Sequence, residues 1–382
     1  HSLPPNQYTV IYQDLQDKAR QPMRDLLAEL AGEIVDELGL AEPQLDFDDQ
    51  GRVFQQKFLP QVYEALPDRE QRLVLLFDEF DVLDRVQRER LPENAAANQL
   101  FPTLRYWLRK EPRLAFVFTL GRNLDDLDYE FISTFKVGRT IQVSTFSKEE
   151  ALTLIKSPDC PSYTDDAAKQ IYRLTNGHPY FTQLFCSLCF DRVYDRLMIS
   201  SPQTCVIAIQ DVEAVIPTLF NQGDNVFTWI WDGLPPLEKI VASALAELLT
   251  DDKIAATESE IETFLHNEGI KKFAGNLQIS ANKLVEWQLL HKENGNYRFL
   301  VPILREWIHK TKPLAITRYE LDRVDQLADY YYQVAREEFN SRNYSVAAKN
   351  LESALHQNSN HLQARILLGD VKLEQVNEQG EI

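Results

Sequence analysis

Three short apolar runs, separated by segments with helical periodicity, organise the N-terminal part of the chain. The runs occupy residues 8–12, 73–77 and 114–119. The last two show no alternation of apolar and polar residues, which is typical of strands buried on both faces of a parallel sheet. We expect a fourth, shorter strand at residues 140–143. Strands that alternate with helices predict a three-layer α/β fold built on a parallel sheet.

The segments between these runs predict helices. Residues 15–38 carry apolar side chains at helical spacing, and the pattern ends at Gly39, a residue type that often terminates a helix. We expect further helices over residues 53–66 and 97–110.

Beyond residue 146 the strand signals fade and helices dominate. Ser147 precedes Lys-Glu-Glu, so it can cap a helix whose acidic first turn favours the helix dipole. Helices are then expected to about residue 231. The span 235–313 combines short helices with a strand at 297–301 that follows an Asn-Gly-Asn turn, a pattern that fits a winged helix.

The C-terminal tail carries the hint of a repeat. Ala335 and Gly369 lie one tetratricopeptide period of 34 residues apart. In that register the packing positions hold Tyr331, Val334, Ala335, Phe339, Tyr344, Ala347, Leu351 and Ala354. We therefore expect four domains: an α/β core at 1–146, a helical lid at 147–231, a winged helix at 232–313 and tetratricopeptide-like helices at 314–382.

Composition and charge narrow the function classes. The 382 residues include 40 Lys or Arg and 58 Asp or Glu, for a net charge of −18. Such a charge disfavours nucleic acid as a partner, because Lys and Arg contacts to phosphates dominate that affinity. Four cysteines are too few for a disulfide scaffold, and no apolar stretch is long enough to span a membrane. We expect a cytoplasmic protein without a membrane partner.

The strongest chemical signal is the run at 73–77, which ends in Asp78 and Glu79. It has the form of a Walker B strand, which delivers two carboxylates to the carboxyl edge of the sheet, where ligands of open α/β folds bind. In that role Asp78 would hold Mg²⁺ and Glu79 would act on the attacking water as general base. The alternative is that an apolar run simply ends in acidic residues at a loop.

Two further motifs follow along the chain. Arg122 comes just after the apolar run at 114–119, so it could contact a γ-phosphate or be a solvated loop arginine. The sequence Asn-Gly-His-Pro at 176–179 lies between two helical segments. It is either a turn that starts a helix or a loop whose Gly177, His178 and Pro179 contact a nucleotide base.

Taken in order, these motifs resemble the AAA-like ATPase domain of the STAND class, the signal transduction ATPases with numerous domains. The resemblance covers roughly residues 7–310. It implies a P-loop NTPase core of the ASCE type, ATP or ADP and Mg²⁺ as cofactors, Asp78 as the Mg²⁺ carboxylate, Glu79 as the water-orienting one and Arg122 as the sensor. It also implies that Gly177 and Pro179 belong to a Gly-x-Pro loop on the nucleotide, and that a tetratricopeptide tail senses the signal.

The phosphate-binding loop of such ATPases is missing from the sequence. None of the 13 glycines is followed by Lys-Ser or Lys-Thr, as the pattern G-x-x-x-x-G-K-[ST] requires. The resemblance places this loop and its strand before residue 8. We therefore expect the 382 residues to lack tight Mg-ATP binding and hydrolysis unless the loop is supplied, and we expect that it precedes this sequence.

Three functions remain open from the sequence. The first is an ATP-dependent signalling switch, closed with ADP, that opens to an ATP-bound self-oligomer when a protein or ligand binds the tail. The second is an origin-recognition-type initiator ATPase that binds DNA, although residues 235–313 hold ten Lys or Arg against eleven Asp or Glu. The third is a scaffold with a nucleotide-binding fold that does not hydrolyse ATP.

Overall fold

The computed structural model describes residues 7–66, 68, 70–84, 91–121, 127, 138–158, 161–199, 205–250, 253–270 and 274–379. The chain separates into two compact units, His1–Ile141 and Gln142–Ile382. Arg122 lies outside the described residues.

The first unit is built on a parallel sheet. Its strands are β1 (Tyr8–Asp14), β2 (Arg72–Asp78) and β3 (Leu114–Phe118), in the order β1-β2-β3. Its helices are α1 (Met23–Leu38), α2 (Leu59–Ala65), which continues from a π-helical turn at Phe54–Phe58, and α3 (Ala96–Lys110). The three predicted strands and the α/β class are confirmed.

The core of this unit lies between one face of the sheet and its helices. Ile11, Leu75 and Phe77 are buried together with side chains of α1 and α3. Phe54 stacks on Trp107 of α3, with ring centroids 5.2 Å apart. The strand register places Val10, Tyr12 and Val117 on the opposite face. These three side chains are exposed.

Two predictions for this unit need correction. The predicted strand at 140–143 is wrong: the segment forms no strand and pairs with none in the described chain, and Ile141 and Val143 are 74% and 87% exposed. A strand requires a partner for its backbone groups, which the local pattern does not supply. Helix α1 begins at Met23, after Pro22, and not at residue 15. Its end at Gly39, with φ 63°, is confirmed.

The second unit begins with helices. They are α4 (Lys148–Ile155), α5 (Asp165–Thr175), α6 (Pro179–Ile199), α7 (Ile209–Gln222) and α8 (Asp224–Asp232), with two short parallel strands, β4 (Ser162–Tyr163) and β5 (Val206–Ile207). The predicted cap is confirmed, since Ser147 and Glu150 exchange hydrogen bonds in a capping box at the start of α4.

The middle of the second unit combines short helices with an antiparallel sheet. Its elements are α9 (Pro236–Leu248), β6 (Ala256–Thr257), α10 (Glu258–Asn267), α11 (Ala274–Glu286), β7 (Leu290–Glu293), β8 (Asn296–Phe299), α12 (Pro302–Thr311) and α13 (Leu314–Thr317). The sheet order is β6-β8-β7. The predicted turn joins β7 to β8, with Asn294 at φ 49° and Gly295 at φ 79°, the positive angles of a type I′ hairpin.

Three helices form the tail, α14 (Gln326–Asn340), α15 (Tyr344–Gln357) and α16 (Leu362–Gln379). The predicted packing positions Ala335, Ala347, Leu351 and Ala354 are fully buried in one cluster. A separate cluster of buried side chains runs from Ile155 to Leu321. The proposed boundaries between lid, winged helix and tail stay predictions. None of the described helices combines the length and the apolar character needed to cross a membrane.

A short 3₁₀ segment, Arg318–Arg323, joins α13 to the tail. Asp322 in this segment accepts hydrogen bonds from the backbone N–H groups of Leu362 and Gln363, and Nδ1 of His361 accepts one from Ala364 at 3.1 Å. Three of the four N-terminal amides of α16 that lack helical partners are thereby satisfied. The start of α16 is therefore fixed to the segment that precedes the tail.

Candidate functional site

The carboxyl ends of the three parallel strands bring polar side chains to one edge of the sheet. Asp14 of β1 lies beside Asp78 of β2 in the strand register. Thr119 follows the last residue of β3, and its N–H donates to the carbonyl of Phe77 at 3.0 Å. This edge is where open parallel sheets bind their ligands.

Asp78 is held by donors from both neighbouring strands. The hydroxyl of Tyr12 donates to its Oδ2 at 2.7 Å. The hydroxyl of Thr119 donates to Oδ1, and the backbone N–H of Glu79 donates to the same oxygen at 3.0 Å. The carboxylate therefore has a fixed orientation at the strand end.

These hydrogen bonds also set the charge of Asp78. The hydroxyls of Thr119 and Tyr12 hold the pKa of Asp78 below its usual range, because donors stabilise the ionised form. The same contact with Asp78 raises the pKa of Tyr12 to about 12. At neutral pH Asp78 is an anion and Tyr12 is a protonated donor.

Glu79 occupies a strained position next to Asp78. Its φ is 52°, in the left-handed region that non-glycine residues rarely adopt. The following residue fixes this conformation: Phe80 is buried with its ring centroid 4.5 Å from that of Phe118, and its N–H donates to the carbonyl of Thr119. Desolvation and the charges of Asp81, Asp78 and Asp14 raise the pKa of Glu79, which brings it nearer to that of an effective general base.

Asp81 joins the ends of β2 and β3. Its Oδ1 accepts a hydrogen bond from the backbone N–H of Gly121 at 3.0 Å. The predicted sensor Arg122 is the next residue, beyond the described part of the chain. Its role stays a prediction.

The loop at 176–179, which joins α5 to α6 in the second unit, is fixed mainly by its backbone. Gly177 has φ 72°, and a Cβ atom there would lie 2.4 Å from the carbonyl oxygen of Phe146. The carbonyl of Gly177 accepts the N–H of Phe146 at 2.9 Å. The hydroxyl of Thr175 accepts the N–H of Gly177 and forms a second hydrogen bond with Thr182. Only glycine fits this approach of the two chain segments.

His178 follows in this loop and Pro179 begins α6. Burial lowers the pKa of His178, so its ring is neutral at physiological pH. Its Nδ1 has no hydrogen-bond partner in the described part of the chain, and its ring lies 4.8 Å from that of Phe181. The role of Gly177, His178 and Pro179 at a nucleotide stays a prediction.

The residues fit Mg²⁺ better than they fit a complete nucleotide site. In the described residues no group of three or more His, Cys, Asp or Glu side chains could hold a metal. Mg²⁺ in nucleotide sites typically takes one or two carboxylates, with water and phosphate oxygens completing its shell, and the oriented anion Asp78 suits that role. The sequence supplies no Gly-Lys-Ser or Gly-Lys-Thr for the phosphates.

The sequence alone did not indicate Tyr12 or Thr119 as residues of the site. Their contacts with Asp78 depend on strand register, which places residues far apart in sequence side by side. The only sequence signal was the shared position of these residues near the ends of apolar runs.

Comparison with known proteins supports the fold. No protein-family model and no curated protein sequence matches the chain. A Walker-type ATPase of Pyrococcus abyssi has a similar structure, with a TM-score of 0.50 and 15% identity over 78% of this chain and 83% of its own. A STAND protein with a tetratricopeptide repeat sensor, from Pyrococcus horikoshii, is 15% identical over 95% of this chain and 50% of its own, with a TM-score of 0.28. A point mutant of RuvB from Thermotoga maritima is 15% identical over 77% of this chain and 84% of its own, with a TM-score of 0.31. The first likeness shows that the chain shares the fold of this Walker-type ATPase, and the other two are too remote to support more.

Proposed function

We propose that the chain is the nucleotide-dependent part of a cytoplasmic signalling switch of the STAND class. The observation that carries the proposal is the carboxylate of Asp78, oriented by Tyr12 and Thr119 at the carboxyl edge of a parallel sheet, with Glu79 beside it. An ionised, fixed carboxylate followed by one whose pKa is raised matches the two tasks of nucleotide hydrolysis, cation binding and proton transfer.

The roles of the residues follow from these positions. Asp78 would hold Mg²⁺, and the bound cation would supply charge neutralisation at the phosphate oxygens. Glu79 orients the attacking water and accepts its proton. Arg122 contacts the γ-phosphate and distinguishes ATP from ADP. Thr119 and Tyr12 keep the carboxylate of Asp78 in place.

These 382 residues contain no G-x-x-x-x-G-K-[ST] sequence, so the proposed switch requires a phosphate-binding loop that they do not supply. The proposal is therefore a statement about the complete gene product. We propose that the 382-residue chain alone neither binds Mg-ATP tightly nor hydrolyses it.

In the switch, Gly177, His178 and Pro179 contact the base of the nucleotide. With ADP, the lid (147–231) and the winged helix (232–313) hold the protein closed. A protein or ligand that binds the helices of the tail (314–382) favours an open, ATP-bound state that self-associates. The hydrogen bonds from the backbone N–H groups of Leu362 and Gln363 to Asp322 support this proposal, because they connect the start of α16 to the segment that continues from α13.

The alternative, an initiator ATPase that binds DNA, has less support. Within the predicted winged helix, the segment at 280–288 has one cation, Lys283, and its Nζ lies 3.8 Å from the buried carboxylate of Glu238. That arrangement leaves little free positive charge for phosphates.

The experiment is to measure the mass of the complete gene product with ADP and with a slowly hydrolysed ATP analogue, with and without duplex DNA. The switch predicts a monomer with ADP and a discrete oligomer with the analogue in the presence of the activating partner. The same mass in both nucleotides, together with salt-dependent DNA binding, would favour the initiator and contradict the switch.

A further inference from the structure

Strand β1 has a free edge. It pairs with β2, and no other described strand lies on its opposite side. The N–H of Arg72 donates to the carbonyl of Gln7, and the N–H of Leu15 donates to the carbonyl of Asp78. Because hydrogen bonding alternates along a parallel strand, the odd-numbered residues of β1 face β2. The backbone groups that point to the free edge belong to Tyr8, Val10, Tyr12 and Asp14.

A groove of about 630 Å³ runs along this edge, between β1 and α1. Four acidic residues of α1 line it, at the spacing that places side chains on one helical face: Glu29, Glu33, Asp36 and Glu37. Among the described residues of its lining the single basic one is Lys18, which is paired with Glu29 at 2.6 Å. The groove therefore carries an excess of negative charge beside the backbone groups of the free edge.

Gln13 adds an independent sign of a binding site. It lines the groove, it is only 7% exposed, and its Oε1 has no hydrogen-bond partner in the described part of the chain. Its amide nitrogen donates to the carbonyl of Asp14 at 3.2 Å. A buried acceptor without a donor is unfavourable, so a donor that enters the groove would be stabilised there.

The opposite face of the strand edge is apolar. Val10 and Tyr12 are 40% and 53% exposed. Successive side chains of an added strand point to opposite faces of the sheet. One set of alternate side chains would lie over the acidic residues of α1, and the other set would lie beside Val10 and Tyr12.

We propose that the free edge of β1 binds an extended polypeptide segment in which Lys or Arg alternates with apolar residues, by addition of a strand to the sheet. Backbone hydrogen bonds supply affinity in this mode of recognition, and alternate side chains supply specificity. The edge from residue 8 to residue 14 accommodates about seven residues, roughly 23 Å of strand. The proposal needs neither a nucleotide nor Asp78, so it stands or falls separately from the proposed switch.

The first test uses the 382-residue protein and a fluorescent seven-residue peptide that alternates lysine with valine. Two control peptides keep its charge: in one the lysines are grouped at one end, and in the other alternate backbone nitrogens are methylated. We expect the alternating peptide to bind at least tenfold more tightly than either control, and its affinity to fall as salt screens the acidic groove. Equal affinity of all three peptides would show that they bind only to the overall negative charge, and would overturn the proposal.

The second test blocks the groove without disturbing the fold. Gly32 lies within α1 and lines the groove, and a Cβ atom built on it meets nothing within 4 Å. Gly32→Leu places a side chain in the groove, whereas the matched variant Gly32→Ala adds a single methyl group, and both residues favour a helix over glycine. We expect Gly32→Leu to weaken binding of the alternating peptide at least tenfold and Gly32→Ala to change it less than twofold. Equal affinities of the two variants would contradict the assignment.

A third comparison tests how much the acidic side chains of the groove contribute to peptide binding. Glu33→Gln with Glu37→Gln removes two acidic groups from the groove, and the control Asp25→Gln removes one from α1 outside the groove lining. We expect the double variant to lose affinity for the alternating peptide severalfold and the control to retain it. A loss that follows only the total charge of the protein would overturn the proposed role of the groove.

Discussion

The Asp78 site and the loop at 176–179 are fixed in different ways. Asp78 is oriented by the side chains of two residues on neighbouring strands, Tyr12 and Thr119. The loop is fixed by close backbone packing, in which Gly177 approaches the carbonyl of Phe146 so closely that no other residue fits.

This difference predicts whether a substitution at each place first changes the function of the site or the stability of the fold. Side chains that orient Asp78 can be altered while the sheet beneath them keeps its packing, so we expect such changes to affect function first. A residue whose backbone conformation and contacts are both restricted cannot change without moving its neighbours. We therefore expect changes in the loop to affect stability first, and the predictions below probe this distinction from the largest effect to the smallest.

The largest effect on stability is expected for Gly177→Ala. The new methyl group would both strain a positive φ and overlap the carbonyl of Phe146, so we expect a loss of about 3 kcal/mol in the free energy of unfolding. The measurement is urea unfolding followed by circular dichroism. The matched control is Gly269→Ala in the same unit, where φ is 79° and the nearest atom lies 3.9 Å away. This control measures the cost of the positive φ alone, about 1 kcal/mol. An equal loss of unfolding free energy in both variants would contradict the overlap with the carbonyl of Phe146.

A smaller effect is expected from acid on the tail. Burial lowers the pKa of His361, whose Nδ1 must stay unprotonated to accept the N–H of Ala364. Asp322 and Asp329 are the acids whose charges oppose this shift. Below the ordinary histidine pKa of about 6.5, the unfolded chain takes up a proton that the folded chain excludes, so stability falls as the pH drops through that value.

Hydrogen exchange along α16 measures this effect between pH 7 and pH 5.5. The control is His361→Asn, which keeps a side chain able to cap the helix but cannot titrate in this range. We expect the natural protein to lose protection in α16 as the pH falls, and the variant to lose less. Identical pH dependence in both proteins would show that His361 does not cause it.

The smallest effect is expected at two non-glycine residues with a positive φ, one in each of the regions compared here. Glu79→Gly relieves a φ of 52°, and we expect it to stabilise the first unit by about 0.5–1 kcal/mol although it removes the proposed base. Asn176→Gly relieves a φ of 46° in the loop, but asparagine tolerates this region, so the gain should be smaller. Thermal unfolding of both variants measures these two gains in stability. A loss of stability in Glu79→Gly would show that its side chain supports the fold, against the distinction drawn above.

The sequence predicted those elements whose signals are local. The end of α1 at Gly39, the capping box at Ser147 and the hairpin turn at Asn294 each depend on a few adjacent residues, and all three are confirmed. The prediction of a strand at 140–143 was wrong because a strand needs a partner strand, and the local sequence does not show whether one is available.

The candidate site shows the same limit. An apolar run that ends in Asp78 and Glu79 can be recognised within a short stretch of sequence. The donors that hold Asp78 cannot be recognised in this way. Tyr12 and Thr119 lie beside it only because of the register of three strands. The positive φ of Glu79 also escaped prediction, since it results from the burial of Phe80 among rings of other elements.

The most direct test of the central claim is Glu79→Gln in the complete gene product, assayed for both ATP binding and ATP turnover. If Asp78 holds the cation and Glu79 is the base, the variant should bind Mg-ATP with unchanged affinity and turn it over about 10²–10⁴ times more slowly. Turnover equal to that of the natural protein would contradict the assignment of the base and, with it, the proposed chemistry of this site.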